Sequence, residues 1–135
     1  ARILYIGIGV KKGVPVDNLT CAEVRKIFIG EQQFWKSGLK VTLLVRAPVA
    51  NERDVVLKKI YGMTEAQYRQ YWISKIFRAD IASAPKIVYT NGMTAELIGM
   101  IPGAVSFMEE GKVPPGFKVM KVNGIKPGEQ GYPLR

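Results

Sequence analysis

The residues best suited to chemistry lie between Arg46 and Asp54, where two arginines flank a short loop that contains a proline. The pattern predicts a strand that ends at Arg46 and a helix that begins near Asn51. Free amide groups in a first helical turn, together with the positive end of the helix dipole, attract anions. Arginine adds paired hydrogen bonds to a phosphate or a carboxylate. The residues therefore predict an anion site in which Arg46 lies beside the amides of Asn51, Glu52 and Arg53.

Two carboxylates in the same turn support a different interpretation. Glu52 and Asp54 satisfy the helix dipole themselves and repel a bound anion. From the residues alone, the stretch is either a weak anion site or an ordinary helix with an acidic first turn, and both interpretations stay open.

Composition excludes several kinds of catalysis. The 135 residues contain no histidine, which excludes serine triads, Cys–His dyads and most catalytic zinc sites. The single cysteine, Cys21, excludes an internal disulfide and a thiolate metal cluster. Gly7-Ile8-Gly9 lacks the third glycine of a dinucleotide motif. No pair of carboxylates or lysines stands at a catalytic spacing, so we predict a protein that is not an enzyme and needs neither a cofactor nor a metal.

Net charge is the bulk property that indicates a partner. Twenty Lys and Arg residues against eleven Asp and Glu residues give a net charge of +9. Such a basic protein attracts small anions and acidic partners. Because the basic residues are scattered and no nucleic-acid motif is present, we do not expect a nucleic-acid partner. The apolar run Ile3–Val10 has eight residues, far fewer than the ~20 that span a bilayer.

Strands and helices alternate along the chain, with capping boxes at Thr20 and Thr64. The predicted strands are Ile3–Val10, Val41–Arg46, Ile87–Tyr89, Ala104–Met108 and Phe117–Val122. The first predicted helix begins after Thr20. The other three run over Asn51–Tyr61, Glu65–Arg78 and Thr94–Ile101. We expect one domain spanning residues 1–135, of the α/β class, with a mixed sheet flanked by helices. The side chains expected in the core are Phe28, Trp35, Val41, Leu43, Tyr71, Trp72 and Ile87.

Several motifs follow one another in order along the chain. The first is Leu19-Thr20-x-x-Glu23-Val24-Arg25-Lys26-Ile27-Phe28-Ile29-Gly30, followed by Phe34-Trp35 and Gly38. The later ones are Gly103-Ala-Val-Ser-Phe, Lys118–Gly124 and Tyr132-Pro-Leu. In this order they resemble the motifs of the phosphate ABC transporter substrate-binding proteins, and the resemblance covers nearly the whole chain. It implies the type II periplasmic-binding-protein fold, as one lobe with part of the other, and it implies that the leading part of the first lobe is missing.

The resemblance also implies a site, a compartment and partners. The family's arginine falls on Arg46, and its phosphate-cradling Ser-Gly-Thr falls on Ala50, Asn51 and Glu52. Both hydroxyl donors are absent and a carboxylate is added, which implies at most weak binding of phosphate or another small anion. The family works in the periplasm or outside the cell, which implies a leader removed before Ala1 and a transporter component as partner. The alternative is a structural or interaction module of the same fold that has no small-molecule ligand and docks a partner protein.

Overall fold

The computed structural model describes residues 5–12, 14, 16–48, 50–80, 85–109, 112–113 and 116–134, and the strands of this part of the chain form one mixed sheet. The strands are β1 (Ile6–Lys11), β2 (Asn18–Leu19), β3 (Thr42–Arg46), β4 (Lys86–Val88), β5 (Ala104–Glu109) and β6 (Phe117–Val122). Their order across the sheet is β2-β6-β1-β5-β3-β4. β1 is antiparallel to β5 and β6, whereas β3 is parallel to β4 and β5, and β2 is parallel to β6. The predicted α/β class with a mixed sheet is confirmed.

Side-chain caps at Thr20, Thr64 and Thr90 mark the starts of three helices. The helices are α1 (Cys21–Phe28), α2 (Asn51–Val56), α3 (Glu65–Phe77) and α4 (Asn91–Met100), and α2 continues into a π turn, Leu57–Tyr61. Both predicted capping boxes form, at the starts of α1 and α3. The predicted start of α4 at Thr94 was wrong. The hydroxyl of Thr90 accepts the amide of Met93 at 3.0 Å, so Thr90 is the cap and Thr94 lies one turn inside the helix.

The main core joins the sheet to α1, α2 and the π turn, and α3 packs against the π turn. Phe28 is fully buried, and its ring lies 6.3 Å from the rings of both Tyr61 and Phe107, measured between centroids. Trp35 is also buried, and its indole nitrogen donates to the carbonyl of Gly103 at 2.8 Å. These contacts link α1 and the loop that follows it to β5 and to the turn that precedes it.

The predicted core residues are mostly covered, with one clear exception. Phe28, Trp35, Val41 and Trp72 are buried, and Leu43 and Tyr71 are half-buried. Ile87 was predicted to be buried and is 48% exposed, so that prediction was wrong. It lies in β4, a three-residue strand at the edge of the sheet, which pairs with β3 and with no other strand of the described residues. Ile3 and Leu4, predicted as the start of the first strand, lie outside the described residues. Within the described ranges, no helix is both long enough and apolar enough to cross a membrane.

Candidate functional site

The candidate site lies where the carboxyl ends of β3 and β4 meet. The two strands are parallel, and Arg46 at the end of β3 pairs in register with Val88 at the end of β4. Helix α2 begins a few residues after Arg46, and α4 begins at Asn91, a few residues after Val88. Because ligands in α/β sheets bind outside the carboxyl ends of strands, this edge is the expected position for a site.

The guanidinium of Arg46 is held by three groups of this chain. Its Nη1 donates to Oε1 of Glu52 at 2.7 Å and to Oδ1 of Asn91 at 2.5 Å, and its Nη2 donates to the carbonyl of Tyr89 at 3.3 Å. The side chains of Arg46 and Glu52 are only 12% and 10% exposed. The Nε of Arg46 is buried without a hydrogen-bond partner among the described residues. The arginine that the resemblance assigns to the anion therefore already binds a carboxylate.

Arg53 makes a second, deeper set of contacts. Its Nε and Nη2 donate to the two carboxylate oxygens of Glu65 at 2.7 and 3.0 Å, and its Nη1 donates to the backbone carbonyl of Arg46 at 2.6 Å. The guanidinium carbon also lies 4.8 Å from the centroid of the Tyr68 ring. Arg53 is 4% exposed. Its side chain is therefore buried, and its hydrogen bond to the carbonyl of Arg46 stabilises the end of β3.

The charges in this second set shift each other's proton affinities. Burial lowers the pKa of Arg53, but the hydrogen bond from its guanidinium to Glu65 and the nearby carboxylate charge raise the pKa above its usual value overall. The same hydrogen bond lowers the pKa of Glu65. Burial raises the pKa of Tyr68, which lies beside the pair. Both members of the ion pair are therefore held in their charged forms.

The two remaining predicted site residues, Ala50 and Asn51, lie at the start of α2. Ala50 is buried and precedes α2, with no side-chain hydrogen bond capping the helix. Its carbonyl accepts the amide of Arg53 at 3.1 Å, so that amide is already used. Asn51 is exposed. Of the five predicted residues, the structure joins the side chains of Arg46 and Glu52 directly and turns the side chain of Arg53 toward Glu65.

Sequence reasoning named Glu52 but missed the other side-chain partners of the two arginines, Asn91 beside Arg46 and Glu65 beside Arg53. Asn91 follows β4 as Ala50 follows β3. Because neighbouring parallel strands end at the same edge of a sheet, the residues after β4 could have been expected to lie beside Arg46. Glu65 lies twelve residues after Arg53 and belongs to the capping region of α3, and no spacing rule connects the two. Within the described residues, no group of three or more cysteines and carboxylates could hold a metal ion.

Comparison with known proteins places this geometry in a recognisable fold. No family model matches the sequence. The structure of an ABC-type phosphate transport receptor from Vibrio cholerae matches with a TM-score of 0.74 and 23% identity, over 92% of this chain and 48% of that protein. PstS from Borrelia burgdorferi matches with a TM-score of 0.74 and 17% identity, over 97% of this chain and 54% of that protein.

A third matching structure contains a bound ligand. It is a putative phosphate ABC transporter substrate-binding protein with bound phosphate from Clostridium perfringens, at a TM-score of 0.72 and 17% identity, over 91% of this chain and 46% of that protein. This chain spans about half the length of each of the three matched proteins. The resemblance seen in the sequence motifs is confirmed at the level of structure: the chain has the fold of the phosphate ABC transporter substrate-binding proteins.

Proposed function

We propose that this chain is a non-catalytic, extracytoplasmic solute-binding-like domain that binds phosphate or a similar small anion weakly at Arg46. The binding is weak because the guanidinium of Arg46 already forms an ion pair with the carboxylate of Glu52. One observation supports this above all: the Arg46–Glu52 ion pair at 2.7 Å, with both side chains about nine-tenths covered. The matched proteins described as a phosphate transport receptor and a phosphate-bound substrate-binding protein support the ligand class. The motif resemblance supports the location.

An incoming anion has two routes to Arg46, and each is unfavourable. It can displace Glu52, which leaves that carboxylate unpaired in a poorly hydrated position and costs several kcal/mol. It can instead bind beside Glu52, where two unit charges ~4 Å apart repel by about 4 kcal/mol at an effective dielectric constant near 20. Removing the charge of Glu52 should therefore reveal the affinity of Arg46 for anions.

The test is isothermal titration of phosphate into the wild type and a Glu52→Gln variant at low salt, where electrostatic interactions are least screened. Glutamine keeps the size of the side chain and can still accept a hydrogen bond from Arg46, but it carries no charge. We expect phosphate to bind at least about tenfold more tightly, which requires ~1.4 kcal/mol.

Asp54→Asn is the matched control, because it removes one charge from the same helix at an exposed position. It should change the affinity by less than about threefold, as expected for a solvated charge. If Glu52→Gln binds no more tightly than the wild type while both bind measurably, Glu52 is not the obstacle. If neither protein binds phosphate, the anion proposal fails and the alternative of a ligand-free interaction module takes its place.

A further inference from the structure

Two Asn-Gly dipeptides occur in the sequence, Asn91-Gly92 and Asn123-Gly124. In such a pair the backbone nitrogen of the glycine can attack the side-chain amide carbon of the asparagine and close a succinimide ring. Glycine favours this reaction because it has no Cβ and its backbone reaches conformations that other residues avoid. The surroundings of each pair therefore decide how readily the ring closes.

The Asn123-Gly124 pair lies in a turn that opposes ring closure. The side-chain oxygen of Asn123 accepts the backbone amide of Cys21 at 2.9 Å. The backbone amide of Gly124, which would be the attacking group, donates to Oδ1 of Asn18 at 2.8 Å. Ring closure at this pair breaks both of these hydrogen bonds, and no charged donor among the described residues contacts the Asn123 oxygen.

The Asn91-Gly92 pair forms the start of α4, and its attacking nitrogen is not engaged. The backbone amides of a first helical turn have no acceptor within the helix. The hydroxyl of Thr90 accepts the amide of Met93 at 3.0 Å, and no acceptor for the amide of Gly92 lies in the part of the chain that the structure describes. Gly92 is exposed, so water can remove the proton of this amide.

The contact with Arg46 distinguishes Asn91 from Asn123. Nη1 of Arg46 donates to Oδ1 of Asn91 at 2.5 Å, and negative charge develops on this oxygen when the nitrogen of Gly92 attacks. A positioned donor lowers the barrier to such a step because it stabilises the oxyanion. Glu52 accepts from the same nitrogen and reduces this effect. We therefore expect an acceleration of about tenfold, below the about hundredfold of a dedicated oxyanion donor.

The cost of opening the backbone does not offset this difference. At Asn91 the ring closes only when the first turn of α4 opens, and Thr90 then loses its hydrogen bonds from the backbone amides of Met93 and Thr94. At Asn123, closure also breaks two hydrogen bonds from backbone amides. Because these losses match, the contact with Arg46 decides which asparagine reacts faster.

We propose that Asn91-Gly92 is a site of spontaneous deamidation that Arg46 promotes. The nitrogen of Gly92 passes its proton to water and forms a bond to Cγ of Asn91. The bond between Cγ and Nδ2 of Asn91 breaks, and the amide group takes up a proton and leaves as ammonia. Water then opens the succinimide to aspartate or isoaspartate, and the sequence of steps needs no oxidant or reductant.

The product places a second carboxylate beside Arg46. The guanidinium already forms an ion pair with Glu52, so the new charge closes the site to phosphate by repulsion. This consequence for anion binding rests on the proposed function, whereas the deamidation itself does not.

The test is mass spectrometry of the purified chain during storage in mildly alkaline buffer, where loss of the amide proton is favoured. Cleavage after lysine and arginine yields peptides 87–112 and 122–135, each with one of the two asparagines. The replacement of NH2 by OH is followed in both peptides. In the folded protein Asn91 should react at least about tenfold faster than Asn123. In urea, where the contact with Arg46 is lost, the two rates should agree within about threefold.

Variants identify the groups responsible. Gly92→Ala adds a Cβ that meets nothing closer than Oγ1 of Thr90 at 3.8 Å, so it should slow the reaction at Asn91 and keep the fold. Arg46→Met combined with Glu52→Gln removes the guanidinium without leaving a covered carboxylate unpaired. This double variant should bring the rate at Asn91 within about threefold of that at Asn123. Glu52→Gln alone is the matched control, because it keeps Arg46, and Asn91 should stay the faster residue.

The rate at Asn123 in the same sample shows whether each variant is folded, since unfolding brings it to the value in urea. Equal rates at the two asparagines of the folded wild type overturn the proposal. Fast reaction at Asn91 in the folded double variant overturns the role of Arg46. If the double variant unfolds, the wild-type comparison between folded protein and urea decides.

The effect on anion binding is measured separately by titration of phosphate. Added to the Glu52→Gln protein, Asn91→Asp should weaken phosphate binding at least about tenfold, because a carboxylate again competes for Arg46. Unchanged affinity overturns the consequence for the site. If phosphate binds none of these proteins, the proposed function fails, and the mass measurement still decides on deamidation because it uses no phosphate.

Discussion

Replacing Arg53 by methionine tests whether this arginine supports the fold from inside. Methionine keeps an unbranched, flexible side chain that can fill most of the space. It removes the paired hydrogen bonds to Glu65, the hydrogen bond to the carbonyl of Arg46 and the contact with the ring of Tyr68. Because the backbone of Arg46 loses a donor, the effect should extend to the end of β3.

The size of the loss follows from these contacts. Hydrogen bonds to charged groups contribute about 1.5–3 kcal/mol each, and a cation–π contact adds about 0.5–2 kcal/mol. Glu65 is 36% exposed at its side chain, so water replaces part of what it loses. We expect the free energy of unfolding to fall by about 2–4 kcal/mol, less than for a fully buried pair.

Urea denaturation followed by tryptophan fluorescence measures this loss, because Trp35 and Trp72 are both buried. Lys59→Met is the control: Lys59 is exposed on the neighbouring π turn, and its loss should change stability by no more than about 0.5 kcal/mol. A loss below about 1 kcal/mol for Arg53→Met would refute the structural role. A variant with normal stability and strongly reduced phosphate affinity would instead make Arg53 a ligand-binding residue.

Two further predictions concern the core and acid stability. Phe28→Ala should cost about 3–5 kcal/mol in the same denaturation experiment, because Phe28 is fully buried; a loss below about 1 kcal/mol would mean that α1 is misplaced. The Arg53 hydrogen bond lowers the folded-state pKa of Glu65, so this pair stabilises the protein above the unfolded pKa near ~4.3, and the stabilisation disappears as pH falls through the lowered folded value. Glu65→Gln should therefore lose stability near neutral pH and show a flatter acid limb in denaturation followed from pH 7 to about pH 3; an acid limb identical to that of the wild type would contradict this.

The elements that sequence predicted well are those fixed by local interactions. The starts of α1 and α3 depend on Thr20 and Thr64 bonding to groups three residues away, and such pairs can be identified without knowing the rest of the fold. β2 has two residues and exists because it pairs with β6, about a hundred residues later, so no periodicity could reveal it. Ile87 was misplaced because its apolar character does not show that β4 lies at the edge of the sheet.

For the candidate site, too, the sequence predicted one part and only the structure shows the other. Its location followed from a strand that ends at Arg46 and a helix that begins at Asn51. Its chemistry depends on which groups accept hydrogen bonds from the Arg46 guanidinium. The side-chain acceptors are Glu52, through the orientation of its side chain, and Asn91, which follows the neighbouring strand β4. Sequence showed that Glu52 opposed an anion by its charge, whereas only the structure shows it bound to Arg46.

A crystal structure of the Ala50→Ser, Glu52→Thr double variant grown with phosphate, beside the wild type under the same conditions, tests the role of Glu52 most directly. The change restores two hydroxyl donors and removes the competing charge. We predict a tetrahedral anion within hydrogen-bond distance of the Arg46 guanidinium in the variant, and the Glu52 carboxylate in that position in the wild type. An anion on Arg46 at the same occupancy in the wild type as in the variant, or a variant that leaves Arg46 without an anion, would contradict the assignment.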